Sequence, residues 1–197
     1  MGALLSQPFI LASASPRRID MLRGMGLHFE IVPSDIDESP TPHESPQHHV
    51  LRLSREKAQK VGKAHPRGWV LGADTIVVIA EEILGKPADR SEAEQMLRKL
   101  SGRAHEVYTG FTLFHGRSEK VSSRTVKSAV FFRNIPDDEI AWYLSTPEPY
   151  DKAGAYAVQG MGAFFIKEIQ GSYTNVMGLP LCEVVDALKE ENILTFC

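Results

Sequence analysis

The sequence predicts an α/β fold, on three observations. Strand-like and helix-like segments alternate along its 197 residues. The run WVLGADTIVVIA, residues 69–80, reads as a strong strand. Stretches with apolar residues at helical spacing open on start signals, as at Pro16, Pro46 and Pro180. The length suits one domain with a sizeable core, or two small lobes.

The elements follow in order. Residues 9–12 read as a short buried strand. Ser15 is a good N-cap and Pro16 suits the first helical position. Ile19, Leu22 and Met25 recur at near-helical spacing, and Gly26 is a stop. Residues 29–32 form a second strand. The acidic, Ser- and Pro-rich stretch SDIDESPTPHESPQH, residues 34–48, is a loop. Pro46 opens a helix carrying Val50, Leu51, Ser54, Ala58 and Val61. After the long strand at 69–80, EEILGKP is the arm of a hairpin. Ser91 with Glu94 makes a capping box, followed by Ala93, Met96, Leu97 and Leu100 on one helical face, and Gly102 ends that helix. Residues 104–114 and 120–133 are two long strands joined near HGRSEK. A short helix over 137–144, a strand over 162–169 and a last helix with Leu181, Val184, Val185 and Leu188 complete the reading. There is no internal repeat, low-complexity tract or long linker.

Composition narrows the class. Hydrophobic content of 43% with 24% charged residues is that of a soluble globular protein. A net charge of −3 favours neither nucleic acid nor an anionic membrane, so any affinity for phosphate must be local. The two cysteines, Cys182 and Cys197, show no zinc-binding spacing and no reason to pair, which fits a reduced, cytoplasmic setting. The first residues, MGALLSQPFILAS, lack a basic leader and are too short and interrupted to span a membrane.

Two stretches ask for chemistry. In LASASPRRIDMLRGMG, Arg17 and Arg18 fall in a first helical turn, where a cation is disfavoured by roughly 0.3–1 kcal/mol. The sign reverses if an anion sits there. Ser13, Ser15, both guanidiniums and the helix N-terminus would then converge on phosphate. The alternative sends both arginines into solvent. In the long strand, Asp74 lies among residues that want burial, so it must be paired, protonated, metal-bound or at a strand end facing a cleft. Gly72 beside it permits close approach of a ligand or of backbone. Asp35, Asp37 and Glu38 follow a strand, a sensible place for Mg²⁺ ligands, though taken alone a solvated acidic loop explains them better. Lys57 and Lys86 are each either phosphate contacts or surface residues. His48 and His49, adjacent on a helix, diverge and read as polar surface. No P-loop, dinucleotide fingerprint or nucleophile elbow is present.

The motifs LASASPRRIDML, DIDE, REKA, GADTIVV, LGKPAD, MLRKLSG, PYDKAGAYAVQG and GSYTNVMGLPL occur in the order seen in the Maf family of nucleoside triphosphate pyrophosphatases, and the chain resembles that family over roughly residues 8–190. The resemblance implies a single domain over residues 1–197. Its twisted mixed β-sheet would be flanked by helices, like that of the inosine-triphosphate pyrophosphatases, with a central cleft between two lobes. It implies hydrolysis of a nucleoside triphosphate to monophosphate and diphosphate with a divalent cation, Mg²⁺ or Mn²⁺, and a homodimer.

Carried over by position, the resemblance makes Asp74 the general base and a metal ligand. Asp37 stands where the family often has glutamate in a metal-linked role. Ser13, Arg17, Arg18, Lys57 and Lys86 would hold phosphates. Arg17, Thr75 and Gln159 match positions tied to substrate choice, and Thr75 after GAD with Gln159 in AYAVQG resembles the subfamily acting on dTTP and UTP. A glutamine amide offers both a donor and an acceptor, which suits the imide edge of uracil or thymine. Two rivals remain: the same chemistry on 7-methyl-GTP or inosine-type nucleotides, and a non-catalytic nucleotide sensor that regulates septum formation.

Overall fold

The computed structural model describes residues 3–196. They form strands β1 (Ala3–Leu5), β2 (Phe9–Leu11), β3 (Glu30–Ile31), β4 (Trp69–Ile79), β5 (Glu82–Leu84), β6 (Ala104–His115), β7 (Lys120–Phe132), β8 (Ile166–Gln170) and β9 (Leu194–Phe196). The helices are α1 (Pro16–Gly24), α2 (Pro46–Ala64), α3 (Arg90–Leu100), α4 (Asp137–Tyr143), α5 (Tyr173–Met177) and α6 (Leu181–Glu190). The larger sheet runs in the order β3-β2-β4-β6-β7-β8, with β5 beside β4. It is mixed: β2 is parallel to β3 and β4, whereas β5 is antiparallel to β4 and β8 to β7. Among the described residues no helix is long and apolar enough to cross a membrane.

The chain divides into two units. The first takes residues 1–74, 109–126 and 178–197. Its core gathers Ile10, Ala12, Val70 and Phe114 from the strands with Ala58 and Val61 from α2. Helix α2 lies very close to the strands because glycines leave room for it. A Cβ on Gly72 would fall 2.3 Å from the Ser54 carbonyl oxygen, and one on Gly110 2.4 Å from that of Val50. Both distances are below any real contact, so glycine at these two positions sets the helix-to-sheet spacing. Strand β1 pairs antiparallel with β9, joining the two ends of the described chain, with Leu5 opposite Leu194.

The second unit takes residues 75–108 and 127–177. Ala93, Met96, Leu97 and Leu100 of α3 are buried together with Val77, Ile79, Val107, Phe132 and Tyr143. Each large apolar side chain buried in this way contributes about 1.5–3 kcal/mol.

Four local expectations are corrected. Helix α3 starts earlier than the Ser91–Glu94 box implies: Asp89 is its N-cap, accepting from Glu92 N at 2.9 Å, and Glu92 Oε2 accepts from Ala88 N at 2.7 Å. The cap and its partner are moved back by two residues, with Glu92 reaching the residue before the cap, because aspartate is as good a cap as serine. The strand expected over 162–169 is in two parts. Met161–Phe165 is a 3₁₀-helix, and β8 begins only at Ile166, since the glycines at 160 and 162 serve turn geometry. Strand β3 is two residues long and exposed. The pair β1 and β9 and helix α5 had no periodic signal because each is five residues or shorter.

Candidate active site

Asp74 lies in the first unit on β4 and is 6% exposed. Lys57, on the sheet-facing side of α2, is also buried. Its Nζ donates to Asp74 Oδ1 at 2.8 Å and reaches Glu38 Oε1 at 2.7 Å. Of the states open to Asp74 from sequence, pairing is therefore the one observed. The close approach that Gly72 allows turned out to be to helix backbone, and it is what brings Lys57 within reach of β4. Two buried charges must compensate each other, since removing one partner strands the other. The Glu38 side chain is 55% exposed, so the carboxylate–ammonium–carboxylate chain runs from the interior to solvent.

Arg18 is buried and its guanidinium is bound on several sides. Nε donates to the Gly178 carbonyl at 2.7 Å, and Nη1 donates to the Ala73 carbonyl at 2.9 Å and to Ser13 Oγ at 3.2 Å. Burial pulls its pKa below the ordinary arginine value, with the Asp74 carboxylate opposing that shift. The solvent-facing alternative for both arginines is thus excluded for Arg18, and Arg17 is half-buried. Ser13, itself buried, also accepts from Ser15 N at 3.2 Å, while the Ser15 side chain makes no capping bond. The structure therefore brings together Ser13, Arg18, Lys57 and Asp74 through side-chain and backbone contacts.

The acidic loop does not present its carboxylates alike. Asp37 is exposed, and its Oδ1 accepts from Ser39 N at 2.9 Å; hydrogen bonding from Ser39 holds its pKa below the ordinary value. Glu38, the next residue, is the one that reaches Lys57. The loop is fastened to α2 by Arg52, whose Nε and Nη2 donate to Glu44 at 2.7 and 2.8 Å and whose Nη2 also donates to the Ser39 carbonyl at 3.1 Å. Hydrogen bonding, from Arg52 first and also from His49 and Thr41, outweighs the opposing effect of burial and holds Glu44 far below the usual carboxylate range. His49 is corrected here: it is buried, with Nδ1 3.0 Å from Glu44 Oε2, whereas His48 is exposed as expected. Adjacent residues diverge, but one of the two directions leads into the protein.

Among the described residues no group of three His, Cys, Asp or Glu side chains could hold a metal ion. Mg²⁺ commonly takes one or two carboxylates together with substrate phosphates. Asp74 and Glu38 offer hard carboxylate oxygens on the two sides of a lysine cation, so the donor set fits such an ion.

The remaining candidates belong to the second unit. Thr75 follows Asp74 on β4 and is half-buried, Lys86 is exposed after β5, and Gln159 is exposed in the turn before the 3₁₀-helix. Sequence reasoning passed over Glu148. Its Oε2 accepts from Met161 N at 2.9 Å, and its Oε1 accepts from Gly162 N at 2.8 Å and from the Tyr143 hydroxyl at 2.9 Å. No spacing rule connects Glu148 to a turn more than ten residues on, so only the fold reveals it.

Comparison with known proteins places the chain in a family. A dTTP/UTP pyrophosphatase of Syntrophus aciditrophicus (strain SB) is 57% identical over 193 residues, covering 98% of this chain and 94% of that protein. One from Geotalea uraniireducens (strain Rf4) is 51% identical over 180 residues, covering 91% and 93%. Among solved structures, a HAM1 protein from Coxiella burnetii matches with a TM-score of 0.53 at 17% identity, covering 93% of this chain and 99% of that one, which supports the fold. The family described as Maf-like protein matches residues 8–191, and the chain belongs to it.

Proposed function

We propose that this protein is a nucleoside triphosphate pyrophosphatase that hydrolyses dTTP and UTP to the monophosphate and diphosphate. The observation that carries the chemistry is Asp74, a buried carboxylate held by Lys57 and, through it, linked to Glu38. A water oxygen attacks phosphorus, the bridging P–O bond between the α and β phosphates breaks, and Asp74 takes the proton that the water gives up. Lys57 fixes the direction of the accepting oxygen. Arg17, Lys57 and Lys86, with the Ser13 hydroxyl, are assigned to the phosphates, where fixed positive charge favours the transition state. Arg18 supports this group by holding Ser13 and the Ala73 carbonyl in place. A divalent cation, Mg²⁺ or Mn²⁺, when bound, offsets phosphate charge and polarises the phosphoryl oxygens. Asp74 would hold it. We give the second carboxylate to Glu38 in preference to Asp37, since Glu38 is the one beside Lys57.

Thr75 and Gln159 are assigned to the base. High identity to two proteins named dTTP/UTP pyrophosphatase favours this reading over 7-methyl-GTP or inosine-type substrates. The protein is further proposed to be a cytoplasmic homodimer that takes the nucleotide as its partner and needs neither nucleic acid nor membrane. Both units serve one domain, a reading supported by a family match that runs across both.

Asp74→Asn tests the base assignment. Asparagine keeps an oxygen that accepts from Lys57 but is far too weak a base to take the proton. Turnover of dTTP and UTP should fall by roughly 10²–10⁴-fold, with nucleotide binding largely kept. Pyrophosphate release at saturating Mg²⁺ measures it, and wild-type turnover in the variant would rule Asp74 out as the base.

A further inference from the structure

The turn that carries Gln159 is pinned from one side by a single carboxylate. Glu148 accepts three hydrogen bonds, two of them from the consecutive backbone N–H groups of Met161 and Gly162. Gly160, between Gln159 and those donors, sits at φ +137°, and a Cβ there would lie 2.2 Å from Glu148 Oε2. The carboxylate and the turn are therefore in contact along three consecutive residues. The other end of Glu148 is fixed as well. Its backbone carbonyl accepts from Lys152 Nζ at 3.0 Å, and Tyr143, fully buried, donates to Oε1. Burial and the facing carboxylate both raise the Tyr143 hydroxyl, which keeps it a donor. Gln159 itself is exposed and lies in irregular backbone. A flexible amide on a loose turn discriminates poorly between bases, because its donor and acceptor can reorient to suit either partner. Discrimination by hydrogen bonding requires that the group be left unpaired by the wrong base.

We infer that Glu148 is a positioning residue for base selection: by anchoring the 160–162 turn it fixes Gln159 for the pyrimidine ring of the nucleotide. The inference rests on the assignment of Gln159 to the base.

Two variants test it from opposite sides of the contact. Glu148→Gln keeps an oxygen for Gly162 N and Tyr143 but places an NH₂ group against Met161 N–H, donor against donor. Gly160→Ala drives a methyl group into the Glu148 carboxylate. Each should lower kcat/KM for dTTP and UTP by roughly 10–100-fold, chiefly through KM, since small misplacements of positioning groups cost about that much. The preference for dTTP and UTP over CTP and GTP should narrow, while inhibition by inorganic pyrophosphate stays at its wild-type level. Restoring the carboxylate's geometry matters more than its charge, so Glu148→Asp, one methylene shorter, should behave like Glu148→Gln. An equal loss on all four nucleotides, following the fall in melting temperature, would show that Glu148 serves stability alone and overturn the inference. If a Glu148 variant does not fold, Gly160→Ala gives the same reading. Gln159→Ala separates the two levels. If it leaves base preference unchanged, the assignment of Gln159 is wrong and the role of Glu148 falls with it. If it alters preference but neither Glu148→Gln nor Gly160→Ala does, the role of Glu148 alone is overturned.

Discussion

Two adjacent arginines in one helical turn have different tasks. Arg18 is buried and satisfies the carbonyls of Ala73 and Gly178. Arg18→Ala would remove the buried hydrogen bonds to both carbonyls and to Ser13, so it should destabilise the nucleotide-free protein strongly. Arg17 is half-buried at the start of α1, and Arg17→Ala should weaken binding of dTTP while disturbing the nucleotide-free protein less than Arg18→Ala does. Thermal melts with and without dTTP read both outcomes. The sequence signalled that a cation at this place needed a reason, but it could not divide the reasons between two neighbours. That division depends on Gly178, 160 residues downstream of Arg18. A second residue-scale effect concerns His105, which is 2% exposed and bonded through Nε2 to the Tyr156 hydroxyl at 2.8 Å. Burial pulls its pKa from 6.5 down to about 4. The unfolded chain binds a proton near 6.5 that the folded one refuses, so stability is lost as pH falls through that window, by up to about 3 kcal/mol. Urea unfolding at pH 7 and pH 5 should show the loss, and His105→Leu should show a smaller difference between the two.

At the scale of elements, long periodic segments were legible and short ones were not. The start of helix α2 and both ends of strand β4 could be placed to within a residue or two, because α2 opens on Pro46 with apolar residues at helical spacing and β4 is one long apolar run. Their closeness could not, since it depends on where Gly72 meets the Ser54 carbonyl. Gly72→Ala should push α2 away from β4, weaken the Lys57–Asp74 contact and lower both stability and turnover; circular dichroism melts and pyrophosphate release would register the two together. At α3 the cap identity makes a sharp contrast. Asp89→Ala should cost about 1 kcal/mol, and Ser91→Ala, one position inside the helix, close to nothing. Equal losses would mean that the helix starts at Ser91 after all. Within the site, the sequence picked Asp74 out by its apolar neighbours. Glu38 could not be separated from Asp35 and Asp37, because a loop of acidic residues has no period to say which one turns inward.

For the molecule as a whole, charge explains little and placement explains much. A net charge of −3 gives no general attraction for a triphosphate, yet the first unit gathers Ser13, Arg18 and Lys57 beside Ala73 and Asp74 in the middle of β4. Nucleotide that binds only the folded state stabilises it by about 2.7 kcal/mol at a hundredfold excess over Kd. The Asp74→Asn protein, which should bind without hydrolysis, is therefore expected to melt several degrees higher in saturating dTTP and Mg²⁺. A melt unmoved by dTTP would contradict the phosphate assignments.

The first unit draws on residues from the start, middle and end of the chain, and this has a consequence during synthesis. When Arg18 leaves the ribosome, the residue that supplies its Gly178 acceptor has not yet been made, nor has the strand that will pair with β1. At 5–20 residues per second the wait is roughly ten to thirty seconds. During that time Arg18 has Ser13 and, once β4 is made, the Ala73 carbonyl, but not the Gly178 carbonyl that takes its Nε. The part of the protein made first is thus completed only once residues 178–196 have been made. Ribosome-bound chains carrying a C-terminal linker, and stalled before and after Gly178 clears the exit tunnel, should differ sharply in protease resistance of their N-terminal segment; equal resistance would show that the segment settles without its distant partners.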